Sequence, residues 1–96
     1  MSLPVPIHKT TPPNTAGLSE LCLGFLAENP DELMRFMEFS GHDPASLRQS
    51  VGTAQMQRGL IDYFAASESI LLALCANASI TPEAFMRVWA KLNPAG

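Results

Sequence analysis

Apolar residues recur every three or four positions along most of the chain, which is the spacing that places side chains on one face of an α-helix. The clearest example is the set Leu18, Leu21, Cys22, Phe25 and Leu26. No stretch alternates apolar and polar residues for long enough to predict a strand. The pattern therefore predicts an all-α fold. Helical segments are expected at residues 16–28, 30–40, 44–50, 53–66, 68–77 and 82–92.

Three of these segments begin with the same arrangement, a polar residue followed by proline and then by helix-forming residues. Proline suits the first helical position, where its missing N–H needs no partner. The polar residue before it is Asn29, Asp43 or Thr81, and each can accept a hydrogen bond from an N–H of the first turn. Glu32, three residues after Asn29, predicts a reciprocal capping box. Ser67 is expected to cap the fifth segment.

The faces of the predicted helices carry two further expectations. The fifth segment is apolar on nearly every side, and such a helix is normally enclosed by its neighbours. Opposite charges stand four residues apart on exposed faces, where each pair would contribute about 0.3 kcal/mol. These pairs are Asp31 with Arg35, Arg58 with Asp62, and Glu83 with Arg87.

The first fourteen residues differ from the rest of the chain. Pro4, Pro6, Pro12 and Pro13 fall within them, and proline at this density opposes both helix and sheet hydrogen bonding. Residues 1–14 are therefore predicted to form a disordered, proline-rich tail. Residues 15–96 are predicted to form a single helical domain, a compact bundle of five to six short helices.

The amino-acid composition mainly excludes other classes of protein. The chain has 96 residues, of which 47% are hydrophobic and 16% charged, with a formal net charge of −3. These values exclude disorder over the whole chain, which needs few apolar residues and a strong net charge. A pI near 5.1 argues against a dedicated nucleic-acid-binding protein, which normally carries a basic excess.

No membrane segment or targeting signal is predicted. The longest apolar run covers residues 70–76, and seven residues are too few to cross a bilayer as a helix. The amino-terminal residues lack the basic-then-apolar order of a secretory signal. We therefore expect a cytoplasmic protein that does not bind membranes.

Catalytic chemistry is sparsely represented. The two histidines are His8, in the proline-rich segment, and His42, in a predicted turn. Cys22 and Cys75 lie in apolar stretches and are interpreted as buried thiols, with a disulfide left open. The six glycines are scattered and form no phosphate-binding loop. We expect no enzyme activity, no catalytic residue, no cofactor and no identifiable small-molecule substrate.

Specific residues also allow two alternatives to a plain structural domain. A metal-dependent site is a hypothesis at His42 and Asp43, although such sites need ligands from further elements. A helix-turn-helix-like, nucleic-acid-binding or regulatory module is a hypothesis for the second and third segments, with Arg35 and Arg48 as its cations. Nucleic acid is an unlikely partner on this composition, because phosphate contacts need several basic residues on one face.

Four stretches match a known family in order and spacing. They are Phe25-Leu26-Ala27-Glu28-Asn29-Pro30 with Arg35-Phe36, Ser40-Gly41-His42-Asp43-Pro44 with Leu47-Arg48, Leu60-Ile61-Asp62-Tyr63-Phe64 with Glu68 and Leu71-Leu72, and Thr81-Pro82-Glu83-Ala84. Together they resemble the alphaproteobacterial family known as domain of unknown function 3572, over roughly residues 18–92. The resemblance implies an all-helical fold in a bacterial cytoplasm. It implies no activity and no catalytic residues.

The leading functional hypothesis comes from apolar residues that the predicted core stripes do not use. Leu23 lies about 120° from the centre of the first helix's stripe, since successive helical residues are 100° apart. Met34, Phe39, Ile61 and Met86 are also off-centre on their helices. Either they complete a many-sided core or they form an exposed apolar patch, which usually marks an interface. The second case predicts a non-catalytic domain that binds a protein partner or forms a homodimer.

Overall fold

The computed structural model describes residues 14–94, which form six α-helices and contain no strand. The helices are α1 (Thr15–Glu28), α2 (Pro30–Ser40), α3 (Pro44–Ser50), α4 (Ala54–Ala65), α5 (Glu68–Ala78) and α6 (Pro82–Leu92). The all-α prediction is confirmed, and each predicted segment is present within one residue at either end. The predicted tail at residues 1–14 lies, except for its last residue, outside the described residues.

Local capping explains where several of these helices start and stop. Asp43 and Ser46 form a capping box at the start of α3, and the hydroxyl of Thr81 accepts a hydrogen bond from the Ala84 N–H at the start of α6. Gly41 ends α2 in the left-handed conformation, at a φ of 78°. The caps predicted at Asp43 and Thr81 are confirmed.

The capping box predicted at Asn29 is wrong. Asn29 also ends α1, and its side-chain amide donates to the carbonyl oxygen of Phe25 at 2.8 Å instead of accepting from α2. Glu32 accepts from Arg35 at 3.3 Å. Ser67 likewise makes no side-chain cap of α5. With one residue joining α1 to α2, the side chain of Asn29 is committed to the helix that precedes it.

The core is assembled around α4, which packs against α1, α5 and α6. α1 also packs against α2 and α5, and α5 packs against α6. α3 buries Leu47 at the edge of this core. The largest fully buried side chains are Phe36, Phe64, Phe85, Leu18, Leu26, Leu60, Ile61, Leu74 and Cys22.

Two expectations about exposure are corrected. Ile61 is completely buried in the core, so the hypothesis that it contributes to an exposed patch is wrong. α5 is not enclosed on every side, because Leu72 is 47% exposed. Glu68, at the start of the same helix, is also exposed. α5 therefore buries one face against α1, α4 and α6 and presents the other to solvent.

The predicted ion pairs do not form as expected. Within residues 14–94 the one ion pair joins Arg35 to Glu32, three residues away, and not to Asp31. Arg58 donates to the main-chain carbonyl oxygen of Leu92, at the end of α6, and not to Asp62. A cation at the carboxyl end of a helix interacts favourably with the helix dipole, which favours this arrangement.

No single helix in the described part of the chain is long and apolar enough to span a membrane. α4 and α5 taken together, bent by 108° at the turn between them, reach that length and apolarity by composition alone.

Candidate interaction surface

Large apolar side chains are exposed at five described positions, and Phe39 is the most exposed of them at 64%. The others are Leu21, Met34, Val51 and Leu72. Of the residues that the sequence singled out as off-stripe, Met34 and Phe39 are thus at the surface. Leu23 and Met86 are half-buried and pack against the core.

Phe39 is held in place by an aromatic cluster beneath it. Its ring lies 5.2 Å from that of Tyr63, centroid to centroid, with the planes tilted by 50°. Tyr63 in turn meets Phe36 edge-on at 5.3 Å and Phe64 edge-on at 6.0 Å. Such edge-to-face pairs are favourable beyond the area they bury. Phe39 is therefore a solvent-facing ring anchored through Tyr63 to the core.

Beside Phe39, α2, α4 and α6 enclose an open groove of about 460 Å³, which we call the Phe39–Trp89 groove. Phe39 forms one wall, Met86 and Trp89 form the other, and Ala65 and Ala66 form the floor. Asp62 and Asn93 complete the lining. The groove brings together two of the predicted interface residues, Phe39 and Met86, which are 47 positions apart in sequence.

The groove is mildly acidic. Asp62 is half-buried, and one of its oxygens accepts a long hydrogen bond of 3.4 Å from the side-chain amide of Asn93. The cation expected to pair with Asp62 is Arg58, which donates instead to the end of α6. On the α2 side, Glu38 is exposed next to Phe39, and Glu32 is paired with Arg35.

The surroundings of Tyr63 raise the pKa of its hydroxyl group. Burial, and then the negative charge of Glu32, raise the pKa of the Tyr63 hydroxyl above its usual 10.0, against an opposing contribution from Arg35. Glu38 also raises this pKa. The phenol is therefore neutral at physiological pH, and Tyr63 acts as an uncharged support for Phe39.

The other predicted interface residues lie elsewhere. Met34 is five positions before Phe39 on α2, about 140° around the helix axis, and borders a separate depression with Met37 and His42. Leu23 lines a small groove of about 60 Å³ together with Val51. The single patch that the sequence suggested is divided among three places, and Ile61 belongs to none of them.

His42 and Asp43 serve the turn between α2 and α3. Nδ1 of His42 lies 2.9 Å from the Ser46 hydroxyl, and Asp43 accepts from the Ser46 N–H at 2.8 Å. The hydrogen bonds from Ser46 lower the pKa of the Asp43 carboxyl. Across residues 14–94, no three His, Cys, Asp or Glu side chains are close enough together to hold a metal ion.

The cysteines are free and buried, as one of the two interpretations of the sequence expected. Burial, and then the proximity of Cys75, raise the pKa of the Cys22 thiol to about 12, and burial also raises the pKa of Cys75. Since the thiolate is the reactive form, both side chains behave as small apolar groups at neutral pH.

A family model described as a protein of unknown function, DUF3572, matches residues 15–95. The chain belongs to this family. The resemblance recognised in the four sequence motifs is thereby confirmed. No curated protein and no solved structure matches the chain.

In this member of the DUF3572 family, sequence reasoning overlooked the residues that make the groove. The helical period places Trp89 with Phe85 and Val88 on the apolar stripe of α6, which predicts burial, and Ala65 and Ala66 carry no signal by themselves. The available signal was angular: Trp89 and Met86 occupy the edge of the stripe on α6, as Phe39 does on α2. Edge positions on helices that meet over a small-residue floor can line a groove without belonging to the core.

Proposed function

We propose that this chain is a non-catalytic protein–protein interaction domain that binds its partner in the Phe39–Trp89 groove. The observation that carries the proposal is the 64% exposure of Phe39 directly beside Met86 and Trp89. Phenylalanine, tryptophan and methionine are enriched where proteins meet, and buried aromatic residues supply much of the binding energy there. Tyr63 contacts the Phe39 ring on its inner side, and such a contact reduces the conformational freedom that the side chain loses on binding.

The other exposed apolar side chains support this choice by contrast. Leu21 and Leu72 are solvent-facing residues on α1 and α5, and scattered apolar residues are ordinary on protein surfaces. Val51 borders a groove of about 60 Å³, against about 460 Å³ for the Phe39–Trp89 groove. The Phe39–Trp89 groove thus offers a partner side chain more space than the groove at Val51, between apolar walls.

The proposal includes no chemical step and no cofactor. The groove is lined by one carboxylate, one amide and five apolar side chains, which together supply no nucleophile paired with a base. The nucleic-acid alternative keeps Arg35 and Arg48 as its cations, but α2 also carries Asp31, Glu32 and Glu38. This acidic excess does not favour binding to phosphates.

Co-purification from the source organism tests the proposed function. The tagged wild-type chain is compared with Phe39→Ser and with Leu72→Ser, which removes an exposed apolar side chain outside the groove. We expect a protein partner to be retained by the wild type and by Leu72→Ser, and to be lost from Phe39→Ser. Equal thermal melts of the three proteins show that the loss is not caused by unfolding.

Recovery of the same proteins by all three variants contradicts the proposal. Self-association is examined separately by sedimentation at several concentrations. A homodimer formed in the groove dissociates on Phe39→Ser substitution, whereas a wild-type chain that stays monomeric across the micromolar range contradicts self-association.

A further inference from the structure

The shape of the Phe39–Trp89 groove indicates the kind of chain that fits it. Along α6 the groove runs from Met86 to Asn93, which is about two helical turns or roughly 10 Å. Its floor is made of Ala65 and Ala66, and small residues allow an incoming backbone to approach closely. Residues 14–94 contain no strand, so this part of the molecule offers no sheet edge to extend. A short helix laid between α2 and α6 matches these walls.

The charged side chains in and near the groove indicate whether a partner carries positive or negative charge. Asp62 is the single charged residue of the lining, and it makes no ion pair with any described residue. Arg58, four residues earlier on the same helix, is directed to the carboxyl end of α6. Glu38 is also exposed on α2, but it lines the neighbouring depression with Met34 and not this groove. A partially desolvated carboxylate gains most from a cation that arrives with the partner.

The surface of α1 and α2 has the same sign. Residues 14–43 contain six carboxylates and one cation, Arg35, and that cation is paired with Glu32. Five of the six carboxylate side chains are exposed. They are Glu20, Glu28, Asp31, Glu38 and Asp43. α1 and α2 thus present a field that attracts positively charged segments, whereas α4 and α6 carry three cations against two carboxylates. Over residues 14–94 the carboxylates still outnumber the cations by nine to five.

We infer that the occupant of the Phe39–Trp89 groove is a basic amphipathic helix, with apolar side chains between Phe39 and Trp89 and a lysine or arginine facing Asp62. This inference rests on the proposed function and adds the chemistry of the partner. A second copy of this chain fits less well, because a shared groove would bring Asp62 toward Asp62 of the other copy.

Fluorescence of Trp89 provides the test, because it is the only tryptophan of the chain and lies on the groove wall. The full chain is titrated with a tryptophan-free helical peptide of about 18 residues, with leucine on one face and lysine on the other. A matched peptide carries glutamate in place of lysine. We expect the lysine peptide to bind at least about tenfold more tightly than the glutamate peptide, and to weaken with added salt.

Three variants locate the binding. Asp62→Asn removes the charge with little change of shape and is expected to weaken the lysine peptide about fivefold while leaving the glutamate peptide unweakened. Phe39→Ser is expected to weaken both peptides. Met34→Ser, a matched change of an exposed apolar residue on the same helix, is expected to leave both unchanged.

The outcomes separate the inference from the proposed function. Equal affinity for both peptides, with both lost in Phe39→Ser, overturns the basic partner and keeps the groove as a docking site. An unchanged affinity in Asp62→Asn also overturns the basic partner. If Phe39→Ser binds as the wild type does, the groove itself is not the binding site. Tighter binding of a peptide with the sequence of residues 1–13, or a Trp89 signal that changes with protein concentration alone, assigns the groove to this chain and overturns the inference.

Discussion

Phe36 and Phe39 show how strongly position decides the role of one residue type. They are three residues apart on α2, and both rings contact Tyr63. Phe36 is 1% exposed and belongs to the core, whereas Phe39 is 64% exposed. The first contributes to stability, and the second is available to a partner.

Alanine substitution at these two positions is expected to give very different stabilities. Phe36→Ala removes a buried ring and leaves a cavity, and should lower the free energy of unfolding by about 3–5 kcal/mol. Phe39→Ala forfeits mainly the contact with Tyr63 and should cost less than about 1 kcal/mol. Urea denaturation of both variants measures the difference. Equal losses would place Phe39 in the core and contradict the account of the groove.

Asp43 provides a pH-dependent test of helix capping. Because Ser46 lowers the folded pKa of Asp43 below its ordinary value of 3.8, the cap stabilises the fold fully above that value. Its contribution is lost as the pH falls through the folded pKa. The stability difference between wild type and Asp43→Ala should therefore be constant near neutral pH and shrink below about pH 3.8.

Denaturation at several pH values measures this change, and Thr81→Ala is the matched control. Thr81 caps α6 with an uncharged hydroxyl, so its loss should cost the same at every pH at which the chain is folded. A pH-independent effect of Asp43→Ala would contradict a charged cap.

Residue-level predictions from sequence succeeded where one side chain has one local option. Asp43 and Thr81 each precede a proline and follow a turn, so their oxygens face the new helix. The capping box predicted at Asn29 was wrong because this single residue separates two helices, and its amide donates to the end of α1. The ion pair predicted between Arg58 and Asp62 was wrong because the competing acceptor, the Leu92 carbonyl oxygen, is distant in sequence and near only in the fold.

At the scale of elements, replacing different glycines by alanine is expected to change the free energy of unfolding in opposite directions. Gly24 and Gly59 lie within α1 and α4, and a Cβ at either position would meet no atom within 4 Å. Gly41 ends α2 at a φ of 78°, where an L side chain is strained although there is space for it. At the first two positions glycine therefore lowers helix stability although a Cβ would fit, whereas the third position requires glycine.

Gly24→Ala and Gly59→Ala should each raise the free energy of unfolding by about 0.5–1 kcal/mol. Gly41→Ala should lower it by about 1 kcal/mol because of the left-handed backbone. Thermal unfolding monitored by circular dichroism distinguishes the signs. Stabilisation by Gly41→Ala would contradict the assigned end of α2.

Helix positions were predictable because their signals are local: the apolar period, the proline starts and the glycine stop. The exposure of α5 was not, because it depends on how many helices surround that element. A helix that is apolar all round is enclosed only if neighbours cover each side, and α5 has α1, α4 and α6 but leaves Leu72 exposed. The composition of a helix alone does not give the number of neighbours that cover it.

At the scale of the whole molecule, the groove exists only because three helices meet. Phe39, Ala65 and Trp89 come from α2, α4 and α6, and the sequence specifies no distance between them. Helical angles correctly placed Phe39 outside the core, but they also marked Met86, which packs against the core, and Ile61, which is completely buried. Angular position selects candidates, and packing decides among them.

The most direct test of the central claim is site-specific photo-crosslinking in cells of the source organism. A photoreactive phenylalanine analogue replaces Phe39 in the groove or, as a control, Leu72 on the exposed face of α5. If the Phe39–Trp89 groove is the docking surface, position 39 yields a discrete crosslinked protein and position 72 does not. The same products from both positions, or none from position 39, would contradict the claim.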